Sequence, residues 1–159
     1  MINQAGLDLI KSFEGLRLKA YKDSGDILTI GYGHTSDSYF KVLPGMVIDE
    51  AKATELLVRD IAEAEDTVRH QFLAWEVLNE NQYAAIVSFV YNTGSLKRYD
   101  KTKKKFVDKT ILEKLKRKNF SGVPEAFGLY IKDAKGNRLN GLIKRRAREK
   151  ELFLRPTNQ

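Results

Sequence analysis

Apolar residues recur every three or four positions over several stretches of the chain, and this spacing predicts amphipathic helices. Between the first two of these stretches, residues 16–35 alternate apolar and polar side chains around glycine-rich turns, which predicts a small, twisted antiparallel sheet. The pattern therefore predicts an α+β fold that is mainly helical. The predicted helices run from an Asn3 N-cap to Glu14, from an Asp49 cap to about Gln71, over 79–92 and 111–118, from Pro124, and over about 140–153.

The helix at about 49–71 is the longest one predicted. At 1.5 Å per residue it would span about 34 Å, which is long enough to join two lobes. We therefore expect a single domain over 1–159, in which a small N-terminal lobe at about 1–48 and a helical C-terminal lobe at about 72–159 flank this linking helix. A cleft between two such lobes is the default place for a ligand site.

The composition indicates a single folded domain whose stability does not depend on disulfides. The chain has 159 residues, of which 42% are hydrophobic, and this is enough for one domain with its own core. It contains no cysteine, so the fold does not depend on disulfides. The first eleven residues lack both a basic leader and an apolar run, so we predict no signal peptide and expect a protein made in a cytoplasm.

The net charge of +7 is unevenly distributed along the chain. Residues 1–71 carry 8 Lys and Arg against 12 Asp and Glu, whereas residues 72–159 carry 20 against 9. A basic second half would concentrate the protein on an anionic polymer, and salt would weaken this attraction. A solvated surface that improves solubility is the alternative interpretation.

The most basic stretch is a predicted loop at 95–109, which also contains two aromatic residues, Tyr99 and Phe106. A solvated loop is one interpretation, and contact with an anionic partner is the other. No nucleic-acid-binding motif accompanies the lysines, so we predict no nucleic acid partner. The candidate contacts with an anionic cell wall or with lipopolysaccharide are Lys97, Arg98, Lys103, Lys104 and Lys105.

Three polar residues follow one another at the end of the first helix, in the next turn and on the next strand. Glu14 meets the negative end of the helix dipole, which favours the protonated carboxyl that a general acid needs. Asp23 begins a D-S-G-D turn, where water keeps a carboxylate ionised. Thr29 lies on a predicted strand at 27–33, on a face that glycines leave open. This combination suggests hydrolysis of a glycosidic bond; a plain helix end and an ordinary turn residue are the structural alternative.

The residues around these three positions resemble a known family. The runs F-E-G-L-R-L-K at 13–19, Y-K-D at 21–23 and T-I-G-Y-G-H at 29–34 are similar to those of the phage-type lysozymes, the endolysins of glycoside hydrolase family 24. The resemblance implies the two-lobed lysozyme-like fold. It also implies a muramidase that cuts the β-1,4 bond between N-acetylmuramic acid and N-acetylglucosamine in peptidoglycan, with no metal or organic cofactor.

The resemblance also implies roles for individual residues. Glu14 would be the general acid of an inverting mechanism, and Asp23 and Thr29 would activate the attacking water. An ion pair between His34 and Asp60 would be structural. Further candidates, for substrate binding, are Gly31, Tyr32 and Asn92.

The biological setting follows from the same resemblance. A monomeric endolysin would act on the wall in the periplasm after release through a separate holin-type pore, and would lyse the host for phage release. A lytic transglycosylase, which needs only the acid, is the enzymatic rival. A non-enzymatic binder of anionic polymers, based on the basic second half, is the rival from another class.

Overall fold

The periodic stretches of the sequence form six α-helices and five short strands among residues 1–157, which the computed structural model describes. The α+β, mainly helical fold with a small antiparallel sheet is confirmed. The helices are α1 (Gln4–Glu14), α2 (Glu50–Gln71), α3 (Glu80–Thr93), α4 (Thr110–Lys116), α5 (Val123–Phe127) and α6 (Asn140–Leu154). The strands are β1 (Arg17–Lys22), β2 (Leu28–Gly31), β3 (His34–Thr35), β4 (Lys97–Asp100) and β5 (Lys105–Asp108).

The two compact units of the chain are Ile10–Glu63 and a second one that combines Met1–Leu9 with the chain from Ala64 onward. The division falls inside α2, between Glu63 and Ala64. Asp49 begins this helix as predicted, because its Oδ1 accepts a hydrogen bond from Lys52 N at 2.8 Å. Within the described part of the chain, no helix combines the length and the apolar character that crossing a bilayer requires.

Within Ile10–Glu63, the predicted sheet is present with strand order β1-β2-β3, and all its pairs are antiparallel. A small hydrophobic core beneath it is formed by Ile30, Val42 and Leu56. The strand predicted at 27–33 is shorter than expected and ends at Gly31. It ends there because Gly31 has φ +67 and Gly33 has φ +96, so that the backbone turns back into β3.

The second unit is built around α3, whose side chains from Tyr83 to Val90 are almost all buried. Asn79 caps this helix in a capping box with Gln82, which satisfies backbone N–H groups at the helix start. Gly94 ends it in the left-handed conformation, as the Asn-Thr-Gly sequence predicts. The predicted bounds of α3 are therefore confirmed to within a residue or so.

The buried face of α6 is more polar than its sequence pattern predicts. The spacing of apolar residues predicts that Ala147 faces the core, but Ala147 is exposed, whereas Arg145, Arg146 and Glu149 are buried. The two arginines pair with Glu149 within α6, at 3.4 Å for Arg145 Nε to Glu149 Oε2 and 3.1 Å for Arg146 Nη1 to Glu149 Oε1. Ser88 of α3 donates to Glu149 Oε2 at 2.6 Å. Burial raises the pKa of Glu149, and the neighbouring Arg146 partly offsets that rise.

The loop predicted at 95–109 is a β-hairpin of β4 and β5. It forms a two-stranded sheet in a unit that is otherwise mainly helical. Tyr99 of β4 pairs with Phe106 of β5, and their rings pack edge to face with centroids 5.4 Å apart. Such a cross-strand aromatic pair stabilises a sheet. The high lysine content concealed this strand signal in the sequence.

Lys109, which follows the hairpin, generates a prediction about stability and pH. Its Nζ donates to Ser95 O at 2.6 Å and lies over the ring of Phe89. Burial and the nearby Arg146 lower the pKa of Lys109 from about 10.5 to about 8. In this window the unfolded chain binds more protons than the folded one, so this group makes stability rise between about pH 8 and pH 10.5.

We therefore expect Lys109→Met to lack the increase in the free energy of unfolding that Lys109 contributes between about pH 8 and pH 10.5. Urea unfolding at several pH values across this window measures this free energy, and the value for the wild type minus the value for the variant should grow with pH. Lys144→Met, at an exposed position of α6, is the control and should follow the wild type. A difference between Lys109→Met and wild type that does not change with pH would contradict the prediction.

Candidate active site

Asp23 is held in a tight turn by four hydrogen bonds, one of which runs from Asp26 N to the Asp23 carbonyl at 2.9 Å. Its Oδ1 accepts from Gly25 N at 2.8 Å and from Ile27 N at 2.9 Å, and its own N–H donates to Ile27 O at 3.0 Å. A carboxylate oxygen that accepts two backbone N–H groups has a fixed orientation. Among the described residues, the other oxygen, Oδ2, has no hydrogen-bond partner, so it is available to accept a bond from a water or a substrate.

Thr29 is connected to the same turn. It lies in β2 between Tyr21 of β1 and Thr35 of β3, and only 2% of its surface is exposed. Its Oγ1 donates to Ile27 O at 2.9 Å. The carbonyl of Ile27 therefore accepts bonds from both Asp23 and Thr29. Because the hydroxyl proton is used in this way, the lone pairs of Oγ1 remain free to accept a bond.

Glu14 lies on the element that precedes the sheet. It is the last residue of α1 and is half-buried. Gly15 then has φ +72, the left-handed conformation in which many helices end, and β1 begins at Arg17, opposite Gly31 of β2. Glu14, Asp23 and Thr29 are thus on consecutive elements of the unit Ile10–Glu63.

Two of the predicted substrate-binding residues, Gly31 and Tyr32, lie at the turn between β2 and β3. A side chain at Gly31 would be strained by φ +67, and its Cβ would lie 3.3 Å from Ala53 Cβ on α2. Tyr32 is 6% exposed, and the Lys11 ammonium lies 5.5 Å from the centre of its ring. Glycine at position 31 therefore lets the turn pack closely against α2.

The third predicted substrate-binding residue, Asn92, belongs to the other compact unit. It is exposed near the end of α3, and its Oδ1 accepts a short hydrogen bond from Arg146 Nη2. Arg146 itself is 2% exposed. A buried arginine therefore orients the amide of Asn92, and the amide NH₂ remains a donor for a ligand.

His34 of β3 lies close to Asp60 of α2, and both are inside the unit Ile10–Glu63. The Nδ1 atom of His34 is 2.9 Å from Asp60 Oδ2, and 3% of the His34 side chain is exposed. Burial raises the pKa of Asp60, and the hydrogen bond with His34 partly offsets this rise. The pair connects β3 to α2 within one unit.

A second carboxylate, that of Asp37, faces the other side of the His34 ring. Its Oδ1 lies 3.7 Å from His34 Nε2 and also accepts from Phe40 N at 2.7 Å, a bond that lowers the pKa of Asp37. The ligand atoms of His34, Asp37 and Asp60 lie within 4.8 Å of one another, which is the spacing of a candidate cation site. The three groups already bond to one another or to the backbone, so a structural role accounts for them.

Comparison with known proteins identifies the family of this site. Residues 11–149 match the family model described as phage lysozyme. The endolysin of Salmonella phage P22 is 39% identical over 96% of this chain and 97% of its own length. The endolysin of Bacillus phage B103 is 42% identical over 96% of this chain, which spans about half (54%) of that longer protein. The active form of the P1 phage endolysin is structurally similar, with a TM-score of 0.82 and 26% identity over 96% of this chain and 84% of its own.

The chain belongs to the phage lysozyme family. It is therefore a hydrolase of the lysozyme type, with a peptidoglycan-lysing function. The family match spans every candidate residue named above.

Two features of this phage lysozyme family site were missing from the sequence-based prediction. One is the backbone of Ile27, which connects Asp23 to Thr29. The D-S-G-D sequence indicated a turn, but not that the Asp23 carboxylate bonds to the N–H of Ile27 and the Thr29 hydroxyl to its carbonyl. The other is Asp37 beside His34. The run of Ser36, Asp37 and Ser38 is typical of a loop, where an aspartate carboxylate commonly accepts hydrogen bonds from nearby backbone N–H groups. That tendency is the sequence signal that could have indicated a turn at Asp37.

We expect Gly31→Ala to destabilise the protein by about 1 to 2 kcal/mol, because a Cβ is strained at positive φ and would crowd Ala53. The free energy of unfolding in urea measures this effect. The matched control is Gly141→Ala on α6, where a Cβ meets nothing within 4 Å and φ is not positive. Equal stability of the two alanine variants would contradict the explanation of Gly31.

Proposed function

We propose that this chain is an endolysin that hydrolyses the β-1,4 bond between N-acetylmuramic acid and N-acetylglucosamine in peptidoglycan. The observation that carries the proposal is that two polar side chains are bonded to the backbone of one residue: the Asp23 carboxylate to the N–H of Ile27 and the Thr29 hydroxyl to its carbonyl. Lysozyme family membership supports peptidoglycan as the substrate. Host-cell lysis for phage release would be the outcome.

Glu14 is the proposed general acid. It would donate a proton to the glycosidic oxygen while an oxocarbenium-like transition state develops. Its place at the end of α1, directly before the sheet that contains Thr29, supports this role.

Asp23 and Thr29 are proposed to hold the attacking water on the opposite face of the sugar. Asp23 Oδ2 would accept one proton of the water, and the free lone pairs of Thr29 Oγ1 would accept the other. Because the turn fixes both groups beforehand, little reorganisation is needed when the water attacks. An inverting mechanism then requires the carboxyl groups of Glu14 and Asp23 to be about 6.5–9.5 Å apart, with the water between them.

The substrate contacts are also proposals. The backbone at Gly31 and the edge of Tyr32 would approach a sugar next to the catalytic groups. Asn92 would supply an amide donor to the substrate, and its bond from Arg146 supports a fixed orientation of that donor. The pair of His34 and Asp60 would keep β3 against α2, and we assign it no chemical step.

We also propose where the enzyme acts and what else it contacts. It would reach the wall in the periplasm through a holin-type pore and work as a monomer. An anionic wall component or lipopolysaccharide would contact the exposed basic residues of the second unit. The exposed or half-buried positions of the predicted contacts support this, and they are Lys97, Arg98, Lys103, Lys104 and Lys105.

We expect Glu14→Gln to reduce turnover of purified peptidoglycan by at least about 100-fold, because the amide cannot donate the proton that the leaving group needs. Release of reducing ends measures the rate, and urea unfolding checks that the variant is folded. Glu76→Gln, an exposed position with the same change of charge, is the control and should retain wild-type turnover. Wild-type turnover in Glu14→Gln would contradict the assignment of the acid.

Thr29 offers a test of the water site. Thr29→Val keeps the shape of the side chain but removes the hydroxyl, and Asp23 N still bonds to Ile27 O, so the fold should be retained. We expect it to lower kcat by about 100-fold with little change in KM, because it affects the attacking water rather than the sugar. Thr29→Ser restores the hydroxyl and should recover most of the rate. Equal losses in the valine and serine variants would indicate a packing role instead.

A further inference from the structure

The hairpin of β4 and β5 contains none of the proposed catalytic or substrate-binding residues. Residues 97–108 include six Lys and Arg but only two Asp. Asp108 lies 3.8 Å from Lys97 of β4 and 2.8 Å from Lys116 of α4, so these two lysines balance its charge. The strong positive charge of the hairpin is therefore not balanced by its own carboxylates.

The remaining carboxylate, Asp100, organises the tip of the hairpin. Its Oδ1 accepts from Thr102 N at 2.8 Å and from Lys103 N at 3.0 Å, and Oδ2 lies 4.0 Å from Arg98 Nη1. These backbone bonds lower the pKa of Asp100, so it stays ionised and keeps the tip closed. Four lysines at and beside the tip are exposed and form no ion pair with the described residues: Lys101, Lys103, Lys104 and Lys105.

The hairpin also exposes two aromatic rings beside these lysines. Tyr99 is 52% exposed and Phe106 is 69% exposed, although they pack against each other. The phenyl ring of Phe106 has no polar group to hydrate, so its exposure to water is unfavourable unless a partner covers it. The hairpin thus combines an apolar pair with a cluster of unpaired ammonium groups.

The base of the hairpin is attached firmly to the rest of its unit. Lys109 N donates to Leu96 O at 2.9 Å, and Leu96 N donates to Gln71 Oε1 at 2.7 Å. Leu96 itself is fully buried. The exposed rings and lysines therefore stand on an ordered support, and binding through them would require little ordering of the chain.

We propose that this hairpin binds the surface of an anionic phospholipid bilayer. The lysines would lie among the phosphate headgroups, and Tyr99 and Phe106 would enter the boundary between headgroups and acyl chains, where aromatic rings are favoured. Glycans and nucleic acid bases instead stack on a flat ring face. The planes of Tyr99 and Phe106 are 69° apart, so the pair forms no shared flat platform. This activity is separate from the cutting of the wall and does not need Glu14.

The test is co-sedimentation of the full chain with phosphatidylcholine vesicles that contain or lack phosphatidylglycerol, at low and at high salt. We expect binding only to the phosphatidylglycerol vesicles, with a partition coefficient that falls as salt rises. The double variant Lys103→Gln/Lys104→Gln should lower the partition coefficient by about 30-fold. Lys135→Gln/Lys144→Gln, two exposed lysines outside the hairpin with the same loss of charge, should lower it by less than about 5-fold.

The contribution of the two aromatic rings to vesicle binding is measured separately. Tyr99→Ser/Phe106→Ser should lower the partition coefficient by at least about tenfold at unchanged net charge. In Phe106→Trp, the fluorescence of the added indole should shift to shorter wavelength when phosphatidylglycerol vesicles are present. The wild type has one Trp, so its emission is subtracted from that of the variant. Glu14→Gln should bind vesicles as the wild type does, so a failure of catalysis is distinguishable from a failure of lipid binding.

Several outcomes would overturn the proposal. One is equal loss of binding in the hairpin and control lysine pairs, which would indicate attraction by net charge alone. Another is an unshifted Phe106→Trp emission in the presence of bound vesicles. A third is binding to lipopolysaccharide, isolated peptidoglycan or duplex DNA with none to the phosphatidylglycerol vesicles, since the hairpin would then serve a different partner.

Discussion

The candidate site depends on the backbone of one residue, Ile27. Its N–H donates to the Asp23 carboxylate, and its carbonyl accepts from Asp23 N and from the Thr29 hydroxyl. The same turn closes the hairpin between β1 and β2, so strand pairing and the placement of the two polar groups have one cause. A turn that changed its register would move the proposed base and the proposed water ligand at the same time.

The sequence predicted the features that are determined locally. Helix starts at Asn3 and Asp49 follow from side chains that can accept backbone N–H groups, and their capping bonds are present. The sheet at 16–35 follows from alternation and glycine turns. The candidates Glu14, Asp23 and Thr29 came from the chemistry of their positions and from the resemblance, and their roles stay proposals.

Two features were predicted less well. The burial of Arg145 and Glu149 is accompanied by hydrogen bonds to Ser88 on another helix, and no periodicity in α6 indicates that its most polar positions face inward. The β4–β5 hairpin was mistaken for a loop because its strand signal is a cross-strand pair, Tyr99 with Phe106, among lysines. For α6 the partner lies on a distant segment of the chain, whereas for the hairpin the two partners are close in sequence and the surrounding lysines concealed the strand pattern.

The most direct test of the central claim is to digest purified peptidoglycan in water enriched in heavy oxygen and to record mass spectra of the released sugars. If Asp23 and Thr29 hold an attacking water, each cut should place one heavy oxygen on a new reducing N-acetylmuramic acid end. The first product should also have the α configuration, because inversion converts the β bond. Anhydro-muramic acid ends without label would contradict the account, since the substrate's own hydroxyl would then be the nucleophile and the water site would have no function.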